Sequence, residues 1–267
     1  MADIDRVALG RCLGKLPAKV DPSTPTFRWL MDGALFKPVP NTIDWSGPVK
    51  AWPMLGNDRL RNCTIAGALH QVQLWTANAG TEEVPDLDCA IAAYARATGY
   101  DPVTGANDNG AFLLDILKYW MKIGFPVSDA GALNRLDGFA TIDPQDAASL
   151  YRAVNIFGTA SAGFELPITA DAEFEAGLPW ADCSAAPGGA GGHMGPIVDI
   201  TATGPRCVTW GRLQQMTWPW WRKYTSEAYA VLRREWITSR GVSPSGLTMA
   251  QLDDKITSLK GAHGLGA

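Results

Sequence analysis

The chain has 267 residues, of which 46% are hydrophobic and 19% are charged, a composition typical of a folded globular protein and not of an intrinsically disordered one. This length fits one large domain or two small ones. The net charge of −4 argues against nucleic acid as a partner, because a nucleic-acid-binding protein needs a basic surface.

Neither the start of the chain nor its apolar stretches indicate export or a membrane. The first 20 residues carry charges throughout and do not form a secretory signal. No run of about 18 apolar residues occurs, so no membrane partner is expected. The cysteines form no CxxC pair, which predicts free thiols in a reducing compartment and argues against a metal site. They are Cys12, Cys63, Cys89, Cys183 and Cys207.

Residues 1–42 are irregular and rich in proline, and they predict an extended arm laid over the surface of the domain. Helical periodicity follows, with Asn62 as the predicted N-cap of the first helix and Gly80 as its stop. Asp143 and Pro144 are predicted to begin the fourth helix. The predicted helices cover 63–79, 86–98, 110–123 and 144–157.

The hydrophobic period then changes to that of strands, and a short amphipathic helix closes the sequence. The strands are predicted at 158–166, 193–203, 207–211 and 228–236, and the last helix at 248–260. Helices followed by strands predict an α+β fold with two lobes and a cleft between them. The predicted units are the arm, a main domain at 43–240 with a helical lobe at about 60–140 and a β-rich lobe at about 141–240, and a C-terminal helix and tail at 241–267.

Cys63 begins the most regular of the predicted helices. The free N–H groups and the dipole of a helix N-terminus favour negative charge, and therefore the thiolate that makes cysteine a nucleophile. A thiolate also needs a proton partner. His193 follows the glycine-rich segment AAPGGAGG and opens a predicted strand that would hold it in place. The pair predicts nucleophilic catalysis by a thiol and an imidazole.

Six blocks of sequence lie around this pair in a fixed order. They are PNTIDW at 40–45, Asn57 six residues before Cys63, LYRAVNIFGTASAGFEL at 150–166, Gly192-His193, Trp210-Gly211 and AYAVL at 228–232. Together they resemble the papain-like cysteine peptidases, in a divergent form of the kind seen in bacteriophage and actinobacterial proteins. The separation of Cys63 and His193, 130 residues, agrees with the spacing of about 130–150 residues in that family.

The resemblance implies the papain-like two-lobed fold, with an N-terminal helical lobe and a C-terminal antiparallel, β-barrel-like lobe. It implies that Cys63 attacks a peptide or isopeptide carbonyl, that His193 takes and returns the proton, and that Asn57 helps to stabilise the oxyanion. No metal and no organic cofactor is expected, and the expected partner is a peptide or protein substrate. The implied borders of the substrate groove are Asn109, Gly110, Gly192 and Trp210.

The chain departs from the family at the residue that orients the catalytic histidine. The family's asparagine is replaced by Val208, which cannot form a hydrogen bond to an imidazole. Thr209 would substitute for it if the strand register shifts by one residue, although regular pleating turns it to the other face. Gln214 is another candidate. The structural cysteine and the tryptophan that flank the nucleophile in the family are also absent from the segment LRNCT.

These departures leave alternatives open. The fold would also suit a non-catalytic structural or binding module, for example a virion component whose partners are other virion subunits. A transglutaminase-type or acyltransferase activity would use the same Cys–His pair. Asn57 would alternatively cap its own turn. Residues 101–110 predict an ordinary loop, because they lack the ligand spacing of a calcium site. The expected location is cytoplasmic or virion-associated.

Overall fold

The computed structural model describes residues 11–28, 40–128, 133–237 and 241–262. Much of the predicted arm, at 1–10 and 29–39, therefore lies outside the described residues, as does the end of the predicted tail at 263–267. The described part of the arm, 11–28, is irregular and touches the rest of the chain through isolated β-bridges.

Seven α-helices occur in the described ranges. They are α1 (Cys63–Ala79), α2 (Leu87–Thr98), α3 (Leu113–Lys122), α4 (Ala147–Phe157), α5 (Ala170–Glu175), α6 (Trp218–Tyr224) and α7 (Met249–Ala262). The longer ones form where apolar residues recur at helical spacing, and three of them end at a glycine in the left-handed conformation, which suits glycine because it has no Cβ. The short helices α5 and α6 are absent from the prediction.

Among the residues that the structure describes, seven strands form one antiparallel sheet. They are β1 (Ile43–Asp44), β2 (Gly138–Ile142), β3 (Ala160–Leu166), β4 (Gly191–Ile200), β5 (Pro205–Thr209), β6 (Arg212–Gln215) and β7 (Thr225–Leu232). The strand order is β2-β7-β3-β4-β5-β6, with β1 paired to β4. Within the described chain β2 and β6 are the two ends of this path, so the sheet is not closed into a barrel.

Two helix starts differ from the prediction because other side chains take the capping role. α4 begins three residues later than predicted, since Asp146, and not Asp143, accepts a hydrogen bond from a backbone N–H of the first turn, that of Ser149 at 3.1 Å. Asn62 precedes α1 but does not cap it. Its Nδ2 donates instead to the carbonyl of Leu55 at 2.8 Å, in a turn where Leu55 has a φ of 54°.

The described residues form two large hydrophobic cores. One lies between α1, α2 and α3, and the other between the sheet, α4 and the tryptophan-rich residues around α6. The sheet also contributes to the helical core, through Met194 of β4 and Tyr229 of β7. The contact between α1 and β4 therefore forms the seam between the lobes. The predicted α+β class with a helical lobe followed by an antiparallel lobe is confirmed.

No helix in the described ranges has the length and apolar character needed to cross a membrane. All five cysteines lie in the described ranges, and none of them forms a disulfide.

Candidate active site

Cys63 is the first residue of α1 and is completely buried. The backbone N–H groups of Met194, Gly14 and Thr64 lie near its sulfur and favour the thiolate. Burial has the larger effect, because it removes water from the charged form and raises the pKa of the Cys63 thiol above its ordinary value. In the described conformation the sulfur is therefore held as a neutral thiol.

His193 lies on β4 immediately before Met194, the residue whose N–H reaches the Cys63 sulfur. The structure thus places His193 next in sequence to a residue whose backbone lies beside the Cys63 sulfur, at the seam of the lobes, and no hydrogen bond joins the two side chains in the described residues. The Nε2 of His193 is 2.6 Å from the hydroxyl oxygen of Thr209, and its Nδ1 is buried with no hydrogen-bond partner among the described residues. One ring nitrogen therefore has a hydrogen-bond partner, and the other has none among the described residues.

The imidazole of His193 is enclosed on its remaining sides. Its ring stacks on the indole of Trp210, with centroids 4.5 Å apart, and none of its surface is exposed. Burial, and to a smaller extent the positive charges of Arg11 and Lys15, lower the pKa of His193 to about 3. The described conformation therefore holds the imidazole neutral at pH 7.

A β-bulge sets the strand register beside the histidine. Asp199 of β4 pairs with Arg206 of β5, but Ile197 pairs with Cys207, so β4 holds one extra residue between these pairs. Because side chains alternate between the faces of a sheet, one extra residue exchanges the two faces of β5 relative to the first part of β4. The bulge thereby turns Thr209 toward the histidine.

The contacts of the neighbouring candidate residues agree with this register. Val208 faces away from His193 and packs with Leu74 and Val198 in a small separate cluster. Gln214 donates its amide to the carbonyl of Leu178 at 2.8 Å and not to the histidine. Thr209 and Gln214 are the two candidates in the sequence for the partner of the histidine. Of these, Thr209 is the one that contacts His193.

Asn57 lies in the turn that leads into α1 and is buried. Its backbone N–H donates to the carbonyl of Met54 at 3.0 Å, which closes the turn without help from the side chain. The side-chain Oδ1 is buried with no hydrogen-bond partner in the described chain. The carboxamide therefore does not cap the turn through this oxygen.

Residues 11–16, which we call the cleft segment, lie across the groove that the sequence predicts for the substrate. The backbone N–H of Lys15 donates to the carbonyl of Gly192, and that of Leu16 to the carbonyl of Ala111, both at 3.0 Å. Ala111 in turn donates to the carbonyl of Gly14 at 2.8 Å. The cleft segment thus pairs with both walls of the groove, and its Gly14 N–H reaches the Cys63 sulfur.

Glycines make this close approach possible. A Cβ on Gly192 would lie 2.1 Å from the carbonyl oxygen of Lys15, and one on Gly110, where φ is +75°, would lie 2.1 Å from that of Gly14. Gly110 and Gly192 therefore lie directly against the backbone of this segment. Asn109 precedes Gly110 and is exposed.

The position of the cleft segment is a feature that the sequence prediction does not contain. Arg11 stacks on Trp210 and Phe174 and is paired with Asp171 and Glu175 on α5. No motif in residues 11–16 marks these contacts. The small residue Gly14, between the two basic residues, is the one local signal that the segment approaches another backbone closely.

Two other candidate features have structural roles. The Asp101 side chain accepts hydrogen bonds from Val103 and Thr104 of its own loop. No cluster of three or more potential metal ligands occurs among the described residues. His70 is buried, its Nε2 lies 2.8 Å from the carbonyl oxygen of Pro53, and burial lowers its pKa to about 4.

Solved structures of cysteine proteases share this architecture. Xylellain, a cysteine protease from Xylella fastidiosa, matches with a TM-score of 0.61 at 13% identity over 84% of this chain and 97% of that chain. Procathepsin B S9 from Trypanosoma congolense matches with a TM-score of 0.57 at 13% identity over 84% of this chain and 86% of that chain. The cysteine protease CMS1MS2 from Carica candamarcensis, in complex with E-64, matches with a TM-score of 0.52 at 12% identity over 73% and 99%.

No protein-family model matches the sequence, and no curated protein matches it. The structural matches, at 12–13% identity, show the fold. The predicted papain-like architecture is confirmed.

Proposed function

We propose that this chain, which has the papain-like cysteine protease fold, is a thiol hydrolase that cleaves peptide or isopeptide bonds. The observation that carries the proposal is the placement of His193, with Nε2 on Thr209 and Nδ1 without a hydrogen bond, next to the residue whose N–H reaches the Cys63 sulfur. A buried histidine in an ordinary core would satisfy both ring nitrogens.

The proposed reaction has two steps. The Cys63 sulfur, after giving its proton to His193, attacks the carbonyl carbon, and His193 then protonates the leaving amine as the C–N bond breaks. Water next attacks the thioester, gives a proton to His193, and the C–S bond breaks to return the thiol. The N–H of Cys63 and the amide of Asn57 stabilise the negative oxygen in both steps. Thr209 orients the imidazole throughout.

The described conformation is a covered form of this enzyme. The cleft segment pairs with both sides of the groove, and no part of Cys63 or His193 is exposed. Burial and the cleft-segment cations Arg11 and Lys15 favour the neutral histidine, and burial favours the neutral thiol. Substrate therefore enters only after the cleft segment leaves, and its departure also favours the reactive thiolate–imidazolium pair.

The test is the rate of alkylation of Cys63 by iodoacetamide as a function of pH, measured by mass spectrometry in the full-length Gly14→Ala variant. That substitution displaces the cleft segment, because the new Cβ would lie 1.8 Å from the carbonyl oxygen of Arg61. We expect Cys63 to react at a pH well below that of an ordinary thiol, and His193→Ala to remove this reactivity. Cys183, which is partly exposed, is the internal control.

Peptide cleavage in the same variant separates the remaining functions. Hydrolysis of a fluorogenic peptide that is lost in Cys63→Ala supports the peptidase. Products joined to an added amine would instead show an acyltransferase. An ordinary pH profile for Cys63, with no turnover, would leave the non-catalytic module. Origin in a bacteriophage and contact with virion subunits stay predictions of the sequence.

A further inference from the structure

The side chain of Lys15, in the middle of the cleft segment, is completely buried. Its Nζ donates to Glu165 Oε1 at 3.1 Å, to Glu227 Oε1 at 3.3 Å and to the carbonyl of Leu16 at 2.9 Å. These three acceptors match the three donors of an ammonium group. A lysine of the chain itself thus fills a pocket that ends in two carboxylates.

The walls of this pocket are shaped for a long cationic side chain. Gly163 on β3 leaves room for the stem, since a Cβ there would lie 2.6 Å from Lys15 Cδ and 2.8 Å from Glu227 Cγ. Glu227 on β7 is held by the hydroxyl of Tyr229, which donates to its Oε2 at 2.9 Å. Both carboxylates therefore sit on strands of the sheet, and that of Glu227 has a second partner besides Lys15.

The same pocket is continuous with the candidate active site. The backbone N–H of Lys15 donates to Gly192, the residue before His193, at 3.0 Å. The charge of Lys15 acts on both Cys63 and His193. Any residue that fills this pocket with its side chain in the way that Lys15 does therefore has its backbone close to the proposed nucleophile, Cys63.

Once the cleft segment has left, the charges of the carboxylates in the pocket determine which kind of side chain binds there. Glu227 is buried, and its burial raises the pKa of that carboxyl, so the ionised form is costly without a cation. An apolar side chain would leave this carboxylate buried and unpaired, and an acidic one would add repulsion. A lysine or arginine replaces the lost ammonium group with charge-assisted hydrogen bonds.

We propose that Glu165 and Glu227 form a specificity pocket for a lysine or arginine side chain of the peptide substrate, and that Lys15 occupies this pocket in the described conformation. The proposal rests on the proposed function for its meaning as substrate selection. The recognition of a cationic side chain is a separate property of the pocket, so it can be measured by binding without any turnover.

The binding test uses the full-length chain with Cys63→Ala and Gly14→Ala, so that the groove is open and no reaction occurs. The probe is a fluorescent hexapeptide with the sequence of residues 11–16, with serine in place of cysteine, compared with the same peptide carrying norleucine in place of the lysine. We expect the lysine peptide to bind about tenfold or more tightly, because charge-assisted hydrogen bonds are lost with norleucine. Glu227→Gln should remove most of this difference.

Matched controls make the result decisive. Glu82→Gln changes a carboxylate in the loop beyond the C-terminal end of α1 and should leave both affinities unchanged. Lys15→Gln, which removes the anchor of the cleft segment, replaces Gly14→Ala as the opening variant if that protein misfolds. Equal affinities of the two peptides, no binding of either, or a preference that persists in Glu227→Gln would overturn the pocket.

A turnover assay keeps the two proposals distinguishable. In the opened variant with Cys63 intact, fluorogenic peptides with lysine, arginine or norleucine at successive positions should show faster cleavage of the basic peptides, and Glu227→Gln should reduce that preference alone. Cleavage without preference overturns the pocket and leaves the hydrolase. Selective binding without cleavage of any peptide overturns the hydrolase and leaves a binding site for basic peptides.

Discussion

At the scale of single residues, the hydroxyl of Thr209 is the hydrogen-bond partner of the His193 imidazole. Its Oγ1 lies 2.6 Å from His193 Nε2, and Trp210 covers the ring beside it. A proton on Nε2 that is donated to Thr209 fixes the tautomer in which Nδ1 accepts the thiol proton. The contact therefore makes Thr209 a positioning residue for the proposed reaction.

We predict that Thr209→Val lowers kcat/KM of the opened enzyme about tenfold to hundredfold, since it removes one hydrogen bond to the imidazole at nearly constant volume. Thr209→Ser keeps the hydroxyl and should retain most of the activity. The pH profile of kcat/KM distinguishes positioning from simple destabilisation, because Thr209→Val should also move its acid limb. An unchanged profile and rate in Thr209→Val would show that the contact has no role.

The sequence reaches this residue only as one of two candidates. Cys63, His193 and the loss of the asparagine at Val208 can all be found from motif order and spacing. The choice of Thr209 depends on the bulge in β4, which is a property of the pairing between two strands and leaves no local pattern. The role of a residue on a strand therefore stays open until the register is known.

At the scale of elements, the prediction succeeds where local patterns are long and fails where contacts are distant in sequence. The bounds of α1 agree with the prediction, because regular apolar spacing ends at Gly80, whose φ is 107°. The strand β2 is absent from the prediction, since five residues paired with β7 carry little periodic signal. The path of the cleft segment through the groove depends on contacts with residues far along the chain, and no sequence period encodes it.

Gly14 is the position where the cleft segment is most sensitive to a single atom. We predict that Gly14→Ala increases the alkylation rate of Cys63 at pH 7 about fivefold to hundredfold, because such overpacking costs about 1–3 kcal/mol in the covered form and is relieved when the segment leaves the groove. The check is the labelling rate from mass spectrometry. Gly47→Ala is the matched control, since the nearest atoms to its Cβ are 3.8 Å away. Equal rates in the two variants would show that the segment does not limit access.

The cleft segment should also open more readily in acid. In the covered form burial lowers the pKa of His193 to about 3, whereas an exposed imidazole titrates near 6.5. Between these values the open form binds a proton that the covered form does not, so each unit of pH below about 6.5 favours opening by up to tenfold. Stability of the covered form is thus present above pH 6.5 and is lost as pH falls toward 3.

Hydrogen exchange of the amides of Lys15 and Leu16 measures this opening directly, because both N–H groups are hydrogen-bonded in the groove. After correction for intrinsic exchange rates, their protection should decrease from pH 7 to pH 5. Replacement of the imidazole by His193→Gln should abolish the change with pH. Constant protection in the unmodified chain over this range would contradict the assignment of a neutral, enclosed histidine.

At the scale of the whole molecule, the C-terminal end of α4 is the point where distant parts of the chain meet. The last carbonyls of a helix have no partner within the helix and must find donors elsewhere. Three indole N–H groups supply them here, one from the segment after β1, one from α1 and one from the turn after β7. The pairs are Trp45 with Val154 at 2.9 Å, Trp75 with Phe157 at 2.7 Å and Trp236 with Ile156 at 2.8 Å.

These contacts join the two cores. Trp75 and Trp236 belong to the core of the helical lobe, whereas Ile156 and Phe157 belong to that of the β-rich lobe. The hydrogen bonds of Trp75 and Trp236 thus cross the boundary between the lobes. Trp75 lies twelve residues along α1 from Cys63, so its hydrogen bond is near the opposite end of that helix. The lobes are therefore expected to unfold together in one transition, and the alignment of Cys63 with His193 depends on the same docking.

The two buried indoles differ in what a substitution leaves behind. The carbonyl of Ile156 has a second donor, the hydroxyl of Ser245 at 2.8 Å, so Trp236→Phe leaves it paired. Trp75→Phe removes the indole donor of Phe157 inside the core, and an unsatisfied buried carbonyl costs about 1–3 kcal/mol. Both rings are almost fully buried, at 0% and 1% exposure, so the lost packing is similar.

We predict that Trp75→Phe lowers the free energy of unfolding by about 1 kcal/mol more than Trp236→Phe. Urea unfolding followed by circular dichroism measures both, with Trp218→Phe as the control, because the Trp218 side chain at the start of α6 is partly exposed. Equal losses in the two variants would show that the indole hydrogen bond to Phe157 contributes nothing, and separate transitions of the lobes would show that the docking of α4 does not couple them.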